Sequence, residues 1–201
     1  TRRLQLAIWF GRWDRILASP APEEDLVHAR AMWHYARGRA LAATDQFAEA
    51  EAELARVRAA AADPRLAGAR VEFNEAPAIL AIAEQVLAGS IAAARGDHAA
   101  AIARLREAAR LEDELTYGEP PEWTVPVRQE LGAALLAAGR AAEAERVYRE
   151  DLARFPDNGW SLTGLAQALT AQGKTAEATR VAARARKALA GGDIVPTTAR
   201  F

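Results

Sequence analysis

The chain has 201 residues, of which 51% are hydrophobic, and its 26 basic and 27 acidic side chains give a formal net charge of −1. This balance excludes the usual electrostatic basis for tight nucleic-acid binding or for attachment to an anionic membrane. There is no cysteine, which excludes disulfides, thiolate metal sites and a cysteine nucleophile.

In chain order, the helix-period patterning and its punctuating turns predict antiparallel helix pairs with almost no sheet. Residues 1–19 are predicted to be a half unit, the end of one helix and a short partner. Four helix pairs follow, at about residues 23–62, 77–115, 125–156 and 158–190. The tail, residues 191–201, is predicted to fold back over the open end of the last pair, since terminal pairs of a stacked array need covers. We therefore predict one continuous array over residues 1–201.

The main regularity is a pair of small residues twelve positions apart that recurs in each helix pair. The four examples are Gly38 and Ala50, Gly89 and Ala101, Gly132 and Ala144, and Ala166 and Ala178. The last two helix pairs are in register at a step of 34 residues, the period of a two-helix solenoid unit. Antiparallel helices approach closely only where contact positions carry little side chain, so we expect each small pair to meet.

Two insertions break this register. The steps from Gly38 to Gly89 and from Gly89 to Gly132 are 51 and 43 residues, which exceed 34 by 17 and 9. The first excess predicts a long loop or extended helix around residues 63–76, and the second a Pro-Pro-containing loop that ends at Trp123. Insertions in solenoids map to loops on one face, often the binding face.

One stretch carries a family resemblance: Leu131-Gly132-x-x-Leu135, Gly139-Arg140, Glu143-Ala144-Glu145, Tyr148 and Phe155-Pro156. It resembles a tetratricopeptide repeat, the next helix pair matches nearly as well, and the pattern covers most of the chain. Asp151 departs from it at a position where Ala108 and Ala185 are small. The chain is also similar to bacterial tetratricopeptide-repeat proteins of unassigned role. The resemblance implies an all-α fold, a right-handed α-solenoid whose concave groove binds a peptide or a partner protein.

The same resemblance implies that the first helix of each pair lines the groove. The residues it places there are Met32, Tyr35, Arg39, Ser90, Gln129, Trp160, Thr163 and Gln167. A mixed polar and aromatic lining suits a peptide, and aromatic and arginine side chains supply most interface energy. The alternative is that these side chains pack against the insertions or the tail.

The Pro-Pro loop, Tyr117 to Trp123, is a second candidate site, because paired prolines restrict its backbone. Its candidate residues are Glu119, Glu122, Trp123 and, beyond the loop, Arg128. A binding role, including a small-molecule or metal site with enzymatic activity, stands against a structural spacer in which Trp123 plugs a gap between the second and third helix pairs.

Other chemical signals are weak. Glu24 and His28 stand four apart on one helix, a spacing that can chelate a metal, but a solvated helix face is favoured and we predict no metal site. Arg180, Arg184 and Lys187 form a stripe on the last helix, for which a solvated face is again favoured. No phosphate loop, serine elbow or His-Glu-x-x-His motif occurs, so we expect no catalytic residue, no enzyme and no cofactor.

The apolar stretches contain charged residues, so we expect a soluble segment without membrane insertion, with a cytoplasmic location favoured. The chain begins Thr1-Arg2-Arg3 partway through a unit, which we interpret as a piece of a longer protein. The leading hypothesis is a non-catalytic scaffold with a protein or peptide partner, and no nucleic acid. The alternative is a structural or self-associating segment of a longer solenoid.

Overall fold

The computed structural model describes residues 2–191 and divides the chain into an N-terminal unit, Thr1–Val125, and a C-terminal unit, Pro126–Phe201. The described part of the N-terminal unit contains α1 (Arg2–Trp9), α2 (Trp13–Leu17), α3 (Val27–Ala43), α4 (Phe47–Ala61), a 3-10 helix (Pro64–Leu66), β1 (Arg70–Val71), β2 (Asn74–Glu75), α5 (Ala76–Ala94) and α6 (His98–Asp113). The described part of the C-terminal unit contains α7 (Val127–Ala137), α8 (Ala141–Arg154), α9 (Gly159–Ala171) and α10 (Thr175–Ala188). Apart from Gly191, the predicted capping tail lies outside the described residues.

Helix pairs joined by short turns make up both units. α3 packs on α4, α5 on α6, α7 on α8 and α9 on α10, and the short connections make each pair antiparallel. Within a unit the pairs also stack, because α5 contacts both α3 and α4, and α9 contacts both α7 and α8. The predicted all-α solenoid of antiparallel helix pairs is confirmed, whereas one continuous array over residues 1–201 stays a prediction.

The first helix pair begins later than the sequence predicts. α3 starts at Val27 and not at about residue 23. Pro22 precedes a turn in which the N–H of Leu26 donates to the carbonyl of Glu23 (3.2 Å). Because this turn uses the backbone groups that a helix would need, the helix starts only after it.

The first insertion forms neither a long loop nor an extended helix. It contains the 3-10 helix, in which the side chain of Asp63 accepts a hydrogen bond from the N–H of Arg65 (2.9 Å), and then an antiparallel hairpin of β1 and β2. Glu72, at the tip of this hairpin, has a φ of 51°. In the described part of the chain this hairpin is the only sheet, so the expectation of almost no sheet is confirmed.

The turn inside each pair needs a left-handed residue at the same place. Seven positions after the small residue of the first helix lie Gly96, Gly139 and Gly173, with φ of 79°, 72° and 73°. Glycine adopts this conformation without a Cβ penalty, which ends the helix and starts the return. Asp45 takes the equivalent place in the first pair, with φ of 60°.

The nearest side chains to Gly38, Gly89 and Gly132 are large ones and not the alanines that the spacing predicts. A Cβ added to Gly38 would lie 2.6 Å from a methyl group of Leu87, and one on Gly89 would lie 3.0 Å from Leu105. The partner alanines Ala50, Ala101, Ala144 and Ala178 are nevertheless buried. The glycines thus accommodate large side chains, which fill the space between helices better than a second small residue would.

Tyr148 on α8 is the largest fully buried side chain in the described residues and lies between two glycines. A Cβ on Gly132 of α7 or on Gly164 of α9 would come closer than 3.0 Å to its ring. The two glycines therefore open a slot for one aromatic ring between two helix pairs. Gly132 was predicted to meet Ala144, and Gly164 was not singled out by the sequence.

One helix, α5, is longer and more apolar than the sequence analysis expects of any stretch of this chain. It is 19 residues long with Glu84 as its one charged residue, so by length and composition it could cross a membrane. Ile79, Leu80, Ile82 and Leu87 are buried, and α5 contacts α3, α4 and α6. A helix surrounded by other helices is apolar on most sides, which accounts for this composition.

Candidate functional site

Three predicted site residues meet in the N-terminal unit. The ring of Trp123 lies against that of Tyr35, with centroids 5.6 Å apart. Arg39, one turn further along α3, donates to the hydroxyl of Tyr35 (2.9 Å). These three side chains and Met32 are buried. The side of α3 that was predicted to face a partner is therefore covered by the Pro-Pro loop of the same chain.

The two insertions are joined by hydrogen bonds. The side chain of Asn74 donates to the carbonyl of Thr116 (2.9 Å) and accepts from its N–H (2.8 Å). The carboxylate of Glu122 accepts from the N–H of Phe73 (3.2 Å), and the carbonyl of Glu122 accepts from the side chain of Gln5 (3.4 Å). The sequence predicts two separate insertions, and the structure makes them one anchored surface, which we call the insertion junction.

Gln129 and Trp160, predicted for the groove, are buried in the C-terminal unit. The N–H of Trp160 donates to the side chain of Asn158 (3.0 Å), which caps α9. Arg128 lies on α7 and forms an ion pair with Glu150 (3.5 Å). Burial leaves Gln129 and Trp160 little surface to offer a partner.

The C-terminal unit carries a wide groove between α9 and α10, which we call the end groove. Its volume is about 730 Å³, and its lining is largely apolar. It is lined on α9 by Thr163, Ala166 and Gln167 and on α10 by Ala182, Ala185 and Leu189. The hydroxyl of Thr163 donates to the carbonyl of Gly159 (2.8 Å), so this polar group is satisfied within α9. Two predicted groove residues, Thr163 and Gln167, thus line an open surface.

A buried carboxylate lies elsewhere in the C-terminal unit. Asp151 on α8 accepts a hydrogen bond from the hydroxyl of Ser161 on α9 (2.5 Å), and both side chains are buried. Burial raises the pKa of Asp151 above its usual range, although the Ser161 hydrogen bond and the charge of Arg128 oppose this. Asp151 stands where the second and fourth helix pairs have Ala108 and Ala185 and the first has Val57, and Ser161 offers it a donor.

The N-terminal unit contains a second buried carboxylate. Glu53 on α4 lies 2.5 Å from Nδ1 of His34 and 3.3 Å from the guanidinium groups of Arg37 and Arg56. Burial alone would raise the pKa of Glu53, but the His34 hydrogen bond and the two guanidinium groups outweigh it and lower that pKa. This cluster ties α3 to α4.

A family model described as tetratricopeptide repeat matches residues 135–193. The predicted resemblance to a tetratricopeptide repeat is therefore confirmed for this part of the chain. The match covers the end of α7 and all of α8, α9 and α10, the region where the sequence resemblance is strongest. Tetratricopeptide repeats generally serve as scaffolds for protein–protein interaction, and typically without catalysis.

Solved structures extend the likeness over most of this repeat protein. A Podosopora anserina protein described as a putative kinesin light chain with nearly identical TPR-like repeats is 17% identical, with a TM-score of 0.56 over 96% of this chain and 93% of that one. A single-substitution variant of that protein is 18% identical, with a TM-score of 0.57 over 94% and 90% of the two chains. At these identities the likeness concerns the fold alone. No curated protein matches the sequence.

In the described part of the chain, no group of three or more His, Asp or Glu side chains could hold a metal ion. His28, four residues after Glu24, is half-buried, and burial lowers its pKa. Ser90 is buried and its hydroxyl donates to the carbonyl of Val86 (2.8 Å). In the Pro-Pro loop, Glu119 accepts a hydrogen bond from the hydroxyl of Tyr117.

Sequence reasoning named the loop that begins at Tyr117 but did not single out its exposed ring, Phe73 or the apolar side of α10. Phe73 and Tyr117, at the insertion junction, are 54% and 61% exposed. The end groove also includes Ala182 and Leu189, which the sequence presents as ordinary residues of an amphipathic helix. The available signal for Phe73 was its place in an insertion, since insertions of solenoids often carry the binding face.

Proposed function

We propose that this chain is a non-catalytic scaffold that binds a helix of a partner protein in the end groove. The observation that carries the proposal is an open apolar surface on the last described helix pair. Alanine dominates this surface, and alanines let a second helix approach closely. In a solenoid the same face of each helix pair receives the next helix, so the occupant that fits best is helical.

The charge beside the groove favours an acidic helix. α10 carries Arg180, Arg184, Arg186 and Lys187 against a single acidic residue, Glu177. Arg186 lines the groove itself. An amphipathic helix with an apolar face and flanking Asp or Glu would bury its apolar side chains and place its charges near these guanidinium and ammonium groups.

The N-terminal unit supports this choice of surface. The proposed peptide groove of the sequence analysis relies there on Met32, Tyr35 and Arg39, all of which are buried. Trp123 packs against Tyr35, so a partner would first have to displace the Pro-Pro loop. Alanine substitution of these residues would therefore report on folding as much as on binding. The Trp123 end of the loop is best explained as a structural cover.

The test is a selection of helical peptides from a displayed library against the full chain, followed by affinities from fluorescence anisotropy. Ala182→Glu places a carboxylate in the end groove, and Ala183→Glu places one on the exposed neighbouring position outside it. We expect the selected peptides to be amphipathic and acidic, and to lose at least about tenfold in affinity with Ala182→Glu but not with Ala183→Glu. Equal affinities for the two variants would rule out the end groove.

Two further outcomes would replace the partner protein by the chain itself. A concentration-dependent dimer in light scattering that is lost in Ala182→Glu would make a second copy the occupant, in line with the self-association alternative. Peptide binding that appears only when the chain is shortened to residue 191 would make residues 192–201 the occupant. A monomer with unchanged binding after shortening supports the proposal.

A further inference from the structure

The insertion junction presents two aromatic rings at its surface. Phe73 lies at the hairpin of the first insertion and Tyr117 in the second, and they are 54% and 61% exposed. The two chain segments run side by side, because Asn74 pairs with the backbone of Thr116 and Gly118 lies against the ring of Phe73. The two segments that carry these exposed rings, distant in the sequence, are thus held next to each other.

The backbone of Phe73 is held by two hydrogen bonds. Its N–H donates to the carboxylate of Glu122, and its carbonyl accepts from the guanidinium of Arg70. Both hydrogen bonds form while the ring itself stays exposed to solvent. The backbone that carries the ring is therefore ordered before a partner binds, which lowers the entropic cost of binding.

The surroundings of the two rings are strongly acidic. Residues 70–75 and 112–122 contain seven acidic side chains and one basic side chain, in a chain whose net charge is only −1. Glu72, Glu75 and Glu119 are exposed beside the rings in the sequence. Arg70, the single cation of these two segments, donates to the carbonyl of Phe73, and Arg110 on α6 pairs with Glu114, so the acidic side chains still outnumber the basic ones seven to two. This surface therefore repels phosphate and attracts cations.

We propose that the insertion junction binds an arginine-rich segment of a partner protein. Guanidinium groups stack on aromatic faces and donate in pairs to carboxylates, so the two rings and the carboxylates of Glu72, Glu75 and Glu119 together suit arginine. Lysine has the same charge but lacks the planar group that stacks. The insertion junction is acidic, whereas α10 is basic. The partner segment proposed here is therefore basic, whereas the helix proposed for the end groove is acidic.

The experiment measures binding of fluorescein-labelled octa-arginine and octa-lysine peptides to the full chain at about 0.15 M salt, where surface charge is partly screened. We expect octa-arginine to bind several-fold more tightly than octa-lysine, and the double variant Phe73→Ala/Tyr117→Ala to lose roughly tenfold for octa-arginine. Phe10→Ala removes another exposed ring from the same unit and should leave the affinity unchanged. Glu72→Gln/Glu119→Gln should weaken both peptides, whereas the exposed Glu49→Gln should weaken neither.

Equal affinities for the two peptides, or an unchanged affinity in the Phe73→Ala/Tyr117→Ala variant, would overturn the proposal in favour of nonspecific attraction to net charge. Binding that is absent altogether, or a dimer that disappears with these substitutions, would also overturn it. Circular dichroism checks folding, and Tyr117→Ala alone serves if the double variant unfolds. Ala182→Glu should not affect octa-arginine binding, so this proposal and the end groove can fail separately.

Discussion

Gly164→Ala tests whether the slot around Tyr148 determines how two helix pairs pack. The added Cβ would lie closer than 3.0 Å to three atoms of the Tyr148 side chain, whereas ordinary contact begins at 3.4 Å. The ring cannot retreat, because it is fully buried and Gly132 lies against it as well. Overpacking costs about 1–3 kcal/mol, and this confined ring should lie at the upper end. Alanine regains about 1 kcal/mol of helix propensity, which leaves a net loss of about 2 kcal/mol.

Urea unfolding followed by far-UV circular dichroism measures this loss in the full chain. The matched control is the same substitution in a Tyr148→Leu background, where the smaller side chain leaves room for the Cβ. There Gly164→Ala should be neutral or stabilising, which gives a coupling energy of about 2–3 kcal/mol between the two positions. If Gly164→Ala alone is as stable as the wild type, the slot does not constrain the packing and the reasoning is wrong.

Three further predictions concern buried side chains. Trp123→Ala should destabilise the N-terminal unit by about 3 kcal/mol in urea unfolding, because it leaves a cavity beside Tyr35. A loss of stability below about 1 kcal/mol would show that the loop does not cover α3. The raised pKa of Asp151 means that the buried charge costs stability once pH rises through that pKa. Asp151→Asn keeps an acceptor for Ser161, so its free energy of unfolding relative to wild type should increase as pH rises above the ordinary aspartate value of 3.8, and a flat difference would contradict the raised pKa. Glu53 has a lowered pKa, so its stabilisation is present above its usual range near 4.5 and is lost as pH falls through the lowered value. The destabilisation by Glu53→Gln should therefore shrink as pH falls below 4.5, and unfolding curves measured above and below that pH check this.

The candidate site shows where sequence reasoning stops. Thr163 and Gln167 were predicted to face a partner and do line the end groove. Tyr35 and Arg39 share the helical position of groove residues, yet they are buried, because the Pro-Pro loop reaches back to α3. A helical period gives the face on which a side chain lies but not which distant segment covers that face. The sequence left open the alternative that these side chains pack against an insertion. Tyr35 does so, because its ring lies against Trp123.

The sequence by itself determined the helix pairs and their turns, because both depend on local properties. Apolar residues at helical spacing predict each helix, and Gly96, Gly139 and Gly173 mark turns that require a positive φ. Only the tertiary structure decided that the glycines receive Leu87, Leu105 and Tyr148, and that two insertions form one surface. Those contacts join residues far apart along the chain, and the side chain that fills a given space depends on the shape of all its neighbours.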